Sequence, residues 1–237
     1  MTKVICTVDK IQPLTSGVHQ VLLTPQQKVE FKPGQYLQLC LTDEDKRPFS
    51  VASIPGQTQL ELQIGGAVAD QYSGQALAHL QSNAQVTVEL GLGQAFWRED
   101  SHNPILLLAG GTGFSYVYSI AQAIAAAGVK RPVFLYWGVR HEEALYHMPE
   151  LQQWASTYHD YKLMPVVQSP TDNWQGRSGL VHQAVLEDFV SLEAYDIYIA
   201  GPFPMVGVVR DAFLEQGAKR EQMFADAFAY ILSLIHI

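Results

Sequence analysis

Two short runs carry residue types that could do chemistry. Gly110-Gly111-Thr112-Gly113 follows an apolar run, Pro104-Ile-Leu-Leu-Leu-Ala109, and precedes an Ala-rich stretch after Phe114. Glycines between a buried strand and a helix let backbone approach a phosphate, and the helix N-terminus supplies free N–H groups and partial positive charge. Anion binding of that kind needs no lysine. A Walker A loop is excluded, because no Gly-Lys-Ser/Thr follows, and GxGxxG is incomplete, because Phe114-Ser-Tyr116 brings no third glycine. A tight turn without a ligand remains the alternative. The second run, Arg47-Pro48-Phe49-Ser50, pairs a cation with a hydroxyl among strand-like residues. By itself it reads equally as a solvated edge and a turn.

Composition bounds what these runs can serve. The chain has 237 residues, 15 Lys+Arg against 23 Asp+Glu, and a formal net charge of -8. Both parts are acidic, 7 basic against 10 acidic residues up to residue 100 and 8 against 13 after it. No basic surface for nucleic acid is expected. At 48% hydrophobic and 16% charged the chain is not disordered. The uncharged run Ser101–Val129 invites a membrane-spanning reading, but three glycines in four residues break it into strand, turn and helix. Cys6 and Cys40 form no CxxC pair and cannot ligate an iron–sulfur cluster. The eight histidines show no metal-binding spacing, so no metal site is expected. The N-terminal MTKVICTVDK lacks a signal-peptide core, which makes cytoplasmic the expectation.

The elements that must position the two runs differ in kind. Residues 1–98 read as short strands: Val4–Val8, Val18–Leu23, Tyr36–Leu41, Pro48–Ser53, Leu60–Ile64 and Val86–Leu90, with one helix over Asp70–Leu80. In Leu60-Glu-Leu-Gln-Ile64 the aliphatics share one face, Glu61 and Gln63 the other. A small antiparallel barrel is expected. Beyond the polar seam Arg98–Asn103, strands (Ile105–Leu108, Val133–Trp137, Lys162–Val167, Asp196–Ala200) alternate with helices (Ser115–Ala127, Leu145–Ser156, Leu180–Phe189, Met205–Gln216). This predicts an α/β domain over 103–231 with a parallel sheet and helices on both faces. Residues 232–237 read as a last element or as a non-native tail left by cloning or sequence assembly.

With Phe31-Lys-Pro-Gly-Gln-Tyr36, Arg47–Ser50, Ile105–Tyr116, Leu135-Tyr-Trp-Gly138, Asp196-Ile-Tyr-Ile-Ala-Gly201 and Asp226-Ala-Phe-Ala-Tyr230 in this order, the chain resembles the ferredoxin–NADP reductase superfamily. Within it, the likeness is to small bacterial NAD(P)H:flavin oxidoreductases, including those associated with bioluminescence. The resemblance implies a Greek-key flavin-binding barrel before the nucleotide domain, and hydride transfer from NAD(P)H to riboflavin, FMN or FAD. It implies that Arg47 faces the ribityl or phosphate side of the flavin, that Pro48 and Phe49 shape the ring pocket, and that Ser50 puts a hydroxyl near flavin N5. Gly110, Gly111, Thr112 and Gly113 would cradle NAD(P)H, with Gly201 and Pro202 closing the nicotinamide pocket. Arg140 is a candidate for the adenosine side, Asp226 for the flavin ring or a structural hydrogen bond.

Departures from the family pattern sharpen this. Gly65–Gly74 matches the pyrophosphate turn of FAD-retaining members weakly and brings no basic residue, so flavin is expected as a substrate or a loosely held cofactor. Pro202 and Pro204 stand where small flavin reductases often carry an arginine and a glutamate, and Gly93-Gln-Ala-Phe-Trp-Arg98 replaces GEAWxR. The expected recipients of reduced flavin are a flavin-dependent oxygenase or a luciferase. An FAD-retaining electron-transfer component and a non-catalytic redox sensor are the rival readings.

Overall fold

The structure is a computed structural model and describes residues 2–65 and 71–234. Six strands make the first sheet: β1 (Thr2–Pro13), β2 (Val18–Pro25), β3 (Tyr36–Cys40), β4 (Lys46–Ser50), β5 (Leu60–Gly65) and β6 (Gln85–Leu92), with helix α1 (Gln71–Ser82) before β6. Every pairing is antiparallel, in the order β4-β3-β6-β1-β2-β5. The two edges then meet. Just past β4, the Ala52 N–H donates to the Glu61 carbonyl at 2.8 Å, and Ser53 Oγ accepts the Glu61 N–H at 3.0 Å. The sheet therefore curls into a barrel around Leu23, Leu37, Leu39, Leu62 and Val88.

The second sheet is wholly parallel. Its strands are β7 (Ile105–Gly110), β8 (Val133–Val139), β9 (Tyr161–Val167), β10 (Arg177–Ser178), β11 (Asp196–Ala200) and β12 (Met223–Phe224), ordered β10-β9-β8-β7-β11-β12. Pleating sends Ile105, Leu107 and Ala109 to one side and Leu106 and Leu108 to the other. Helices α2 (Phe114–Ala127) and α3 (Met148–Thr157) cover the first side. Helices α4 (Val181–Asp188) and α5 (Phe203–Glu215) cover the second. A short α6 (Phe228–Leu234) follows β12, and the last expected residues, 235–237, lie outside those described. The two-domain fold is the expected one: an antiparallel barrel and a parallel sheet with helices on both faces. Among the described residues, no helix is long and apolar enough to cross a membrane.

Helix α2 joins the halves. Phe114 through Ala121 are all buried, because the barrel packs on the face that the sheet leaves free. Polar fastenings fix the contact: Ser119 Oγ donates to the Ser53 carbonyl at 2.9 Å and Gln122 Nε2 to the Ala52 carbonyl at 2.7 Å. Gly128 ends the helix in a left-handed conformation (φ 61°), its N–H returning to the Ala125 and Ile124 carbonyls. Within the uncharged run, Ile105–Gly110 and Phe114–Ala121 are interior, which leaves no place there for a charge.

Several boundaries differ from the sequence reading, β1 most in length (Thr2–Pro13 against Val4–Val8), and two of them bear on the site. The strand carrying Arg47 begins at Lys46 and ends at Ser50, where the chain leaves β3 to meet β5. Helix α3 starts at Met148 instead of Leu145, because Leu145 is extended and His147 adopts a left-handed backbone (φ 55°). Those residues turn Tyr146 inward instead of continuing a helix. The expected start of α1, Asp70, lies outside the described residues.

Candidate active site

The carboxyl ends of β7, β8 and β11 converge on one rim, the usual place for a ligand in an open α/β sheet. At its centre Gly111–Gly113 form a single 3₁₀ turn that runs directly into α2. The leading N–H groups of such a turn have no intrahelical partners. Its glycines have separate causes. Gly111 holds φ 55°, and a Cβ built there would meet open space. Gly113 presses on β11, where a Cβ would lie 2.6 Å from the Ala200 carbonyl, and a Cβ on Gly110 would collide with Met205 Sδ. One glycine thus opens the turn towards a ligand, while two let it pack against β11 and α5.

Two cavities meet at this turn and share Gly110, Gly111, Thr112 and Pro202 in their walls. The first, about 700 Å³, runs over the ends of β8 and β9 and is lined by Arg140, His141, Gln168, His182 and Tyr146. The second, about 540 Å³, lies against the barrel and is lined by Pro48, Phe49, Ser50, Gly113, Gly201 and Asp226. Both fall in the size range of small-ligand sites, roughly 300–1,000 Å³. The second contains no Lys or Arg among its lining residues.

Ser50 is half-buried at the end of β4, and among the described residues its hydroxyl has no hydrogen-bond partner. Arg47 is placed differently from the residues that follow it. It does not line either large cavity; it is buried against α1. Its Nε donates to Asp45 at 2.9 Å, one terminal nitrogen to the Tyr72 carbonyl at 2.6 Å, and the other to Asp45 (2.7 Å) and Gln75 Oε1 (2.5 Å). The Arg47 hydrogen bonds hold the Asp45 carboxyl below its ordinary range. Arg140 is exposed on the first cavity; its carbonyl accepts the Ser169 N–H at 2.9 Å, and its guanidinium has no partner among the described residues.

Asp226 lines the second cavity, as Ser50 does, and accepts the N–H groups of Gln94 (3.1 Å) and Ala95 (3.3 Å) on Oδ1. Burial pushes its carboxyl above the ordinary range, and the two backbone donors only partly oppose this. The sequence reading named Asp226 for the flavin ring or a structural bond; the structure gives it both a cavity wall and the structural bonds. Ser115, Tyr116 and Gln63 also line this cavity. The first two follow the glycine turn directly, which was the available signal. Gln63 had none, because a lone glutamine on an alternating strand reads as the polar face. Among the described residues, no cluster of three His, Cys, Asp or Glu could hold a metal ion.

Comparison with known proteins agrees with this geometry. Residues 107–211 match the family described as the oxidoreductase NAD-binding domain. The chain is 45% identical over 233 residues to an NAD(P)H-flavin reductase of Vibrio harveyi, covering 95% of this chain and 98% of that one. It is 42% identical to an NAD(P)H-flavin reductase of Aliivibrio fischeri, with the same coverage. Among solved structures, the ferredoxin reductase in carbazole 1,9a-dioxygenase superposes with a TM-score of 0.83 at 26% identity, over 96% of this chain and 69% of the other. The glycine turn, the barrel carrying Ser50 and the near full-length likeness to these reductases lead to one assignment: the chain belongs to the NAD(P)H-flavin reductase family.

Proposed function

We propose that this chain uses NADH or NADPH to reduce free flavins, taking riboflavin, FMN or FAD as an exchanging substrate. The observation that carries the reading is the shared wall at Gly110–Thr112, where the nucleotide-sized and barrel-side cavities join. Residues 103–231 then serve the nucleotide, and residues 1–98 the flavin. Hydride passes from nicotinamide C4 to flavin N5, chemistry that the two bound molecules supply.

The protein's share is placement. The N–H groups of the glycine turn face the nucleotide, and Arg140 adds a cation at the far end of its cavity. Gly201 and Pro202 close the nicotinamide end between β11 and α5. Pro48 and Phe49 offer an apolar wall to the flavin ring. Ser50 offers an uncommitted hydroxyl that can donate to N5 as charge enters the ring. Arg47 orients the start of α1 next to that wall. A cavity without Lys or Arg suits a flavin held by its ring more than by its phosphate, which favours release. Two free thiols, the Cys6 group pushed up to about 12 by burial, suit a reducing cytoplasmic compartment. Released reduced flavin would serve a flavin-dependent oxygenase or luciferase.

Steady-state kinetics with three flavins against two pyridine nucleotides test the reading. Colourless protein that consumes NAD(P)H only with added flavin is expected. Stoichiometric yellow FAD surviving gel filtration would replace it with an FAD-retaining electron-transfer component.

A further inference from the structure

Gln63 belongs to the barrel yet is tied to both cavities. It is 5% exposed on β5, lines the barrel-side cavity, and sits where β5 packs against α2. Its Oε1 accepts two hydroxyls, Ser115 Oγ at 3.0 Å and Tyr146 OH at 3.1 Å, and its Nε2 donates to Glu61 Oε1 at 2.9 Å. The direction of this amide is fixed by its neighbour. Burial alone would raise the Glu61 carboxyl, but the hydrogen bond from Gln63 and the polar side chains of His147 and Gln20 nearby outweigh burial and hold it below the usual range. Glu61 is therefore a carboxylate, which only accepts, so the NH₂ of Gln63 must face it and the carbonyl must face the hydroxyls.

Each hydroxyl then leads to a different cavity. Ser115 Oγ also lies 3.1 Å from the Thr112 carbonyl, so its proton is shared between Gln63 and the glycine turn. Tyr146 lines the nucleotide-side cavity. Its ring is buried edge-on to Trp137, with centroids 4.9 Å apart. One barrel side chain thus holds the turn on one side and the nucleotide wall on the other, and it does so at the junction where the two ligands would meet. His147 braces the far end, its Nε2 3.8 Å from Glu61 and its ring stacked 4.9 Å from Tyr118.

On the proposed flavin reduction as its basis, we infer that Gln63 is a positioning residue: its amide couples the two cavities and sets the approach of nicotinamide to flavin. A ligand filling either cavity presses on groups bound to the same amide, so occupancy of one alters the affinity of the other. Misplacement of reacting atoms by about 1 Å costs on the order of a hundredfold in rate.

The test uses the full chain and Gln63→Met, which keeps length and removes all three hydrogen bonds. The first readout needs no turnover: riboflavin affinity is measured by flavin fluorescence with and without oxidised nucleotide (NAD⁺ and NADP⁺). Wild type should show a coupling of roughly fivefold or more, and the variant less than about twofold. The second is single-turnover hydride transfer with 4-deuterated nucleotide. The variant should transfer about ten- to a hundredfold more slowly, with a larger isotope effect on the transfer step. Tyr146→Phe, which deletes one bond without opening a cavity, should lose rate in the same sense, and Gln63→Met combined with it should lose no more than Gln63→Met alone. Unaltered coupling in Gln63→Met, or rate losses that multiply in the double variant, would overturn the inference. Wild type that shows ligand coupling but no NAD(P)H oxidation with any flavin would overturn the proposed function while leaving the coupling role of Gln63 supported.

Discussion

The indole Nε1 of Trp137 donates to the carbonyl of Gly111 at 3.0 Å, and the same indole lies on the Phe114 ring with centroids 3.9 Å apart. A fully buried strand residue therefore grips both ends of the glycine turn. With the Gly111 carbonyl drawn back onto β8, the conformation of the turn does not depend on a ligand. Trp137→Phe removes that indole donor, leaving the Gly111 carbonyl only the N–H of Phe114, and should lose about 0.5–1.5 kcal/mol of stability in denaturant titration. Nucleotide KM should rise while flavin KM stays near wild type. A variant with unchanged unfolding midpoint and nucleotide KM would refute the grip.

Ser50→Ala removes a hydroxyl at the barrel wall that has no hydrogen-bond partner among the described residues. Turnover should fall on the order of ten- to a hundredfold, as when a donor to developing charge is deleted. NAD(P)H KM should move less than about twofold, because Ser50 lines only the barrel-side cavity and the loss falls on the transition state. A rise in nucleotide KM with turnover intact would assign Ser50 to binding instead.

The glycines of the turn should separate cleanly. Gly111→Ala meets no atom and suffers only from its positive φ, a cost of about 1–2 kcal/mol. Gly113→Ala must displace the backbone of β11 at Ala200, which has no room to yield. Its unfolding midpoint should drop well below that of Gly111→Ala, or it should fail to accumulate as folded protein. Equal midpoints for the two variants would contradict the packing role of Gly113.

Arg140 stands apart, an exposed cation on the nucleotide-side cavity. Arg140→Ala should weaken nucleotide binding by about tenfold, a loss of roughly 1.4 kcal/mol, and leave flavin KM unchanged. The effect should be larger for NADPH than for NADH, since the extra phosphate adds charge for the guanidinium to meet. Equal KM values for variant and wild type with both nucleotides would return Arg140 to the solvent.

What was legible in the sequence follows the range of the forces involved. The strand, turn and helix over 105–127 could be read because each depends on local signals: an apolar run, glycines, then small helix formers. The cavity at the end of this strand is walled by the same turn residues, Gly110–Thr112. Glu61 and Gln63 could be placed on the polar face of their strand, but that face turned out to be covered by α2 and Tyr146, more than fifty residues further along the chain. A polar face covered by a second domain carries the same alternation as one covered by water. Arg47 shows the same limit in reverse: its position beside Ser50 was readable, whereas its engagement with Asp45 and α1 depends on tertiary contacts with Tyr72 and Gln75.

Asp226 offers a test in which protons report burial. Its folded-state carboxyl titrates above the ordinary value, so the folded protein binds the proton more tightly than the unfolded chain. Stability must then fall as pH rises through the interval between the two values; the penalty is complete above the folded value and absent below the unfolded one, about 3.9. Asp226→Asn abolishes the ionisation and keeps an oxygen for the Gln94 and Ala95 N–H groups. The variant should therefore unfold at higher denaturant than wild type at pH 7, and the gap should close by about pH 3. A gap of the opposite sign at pH 7 would mean that the ionised carboxylate stabilises the fold, and that the backbone donors outweigh desolvation.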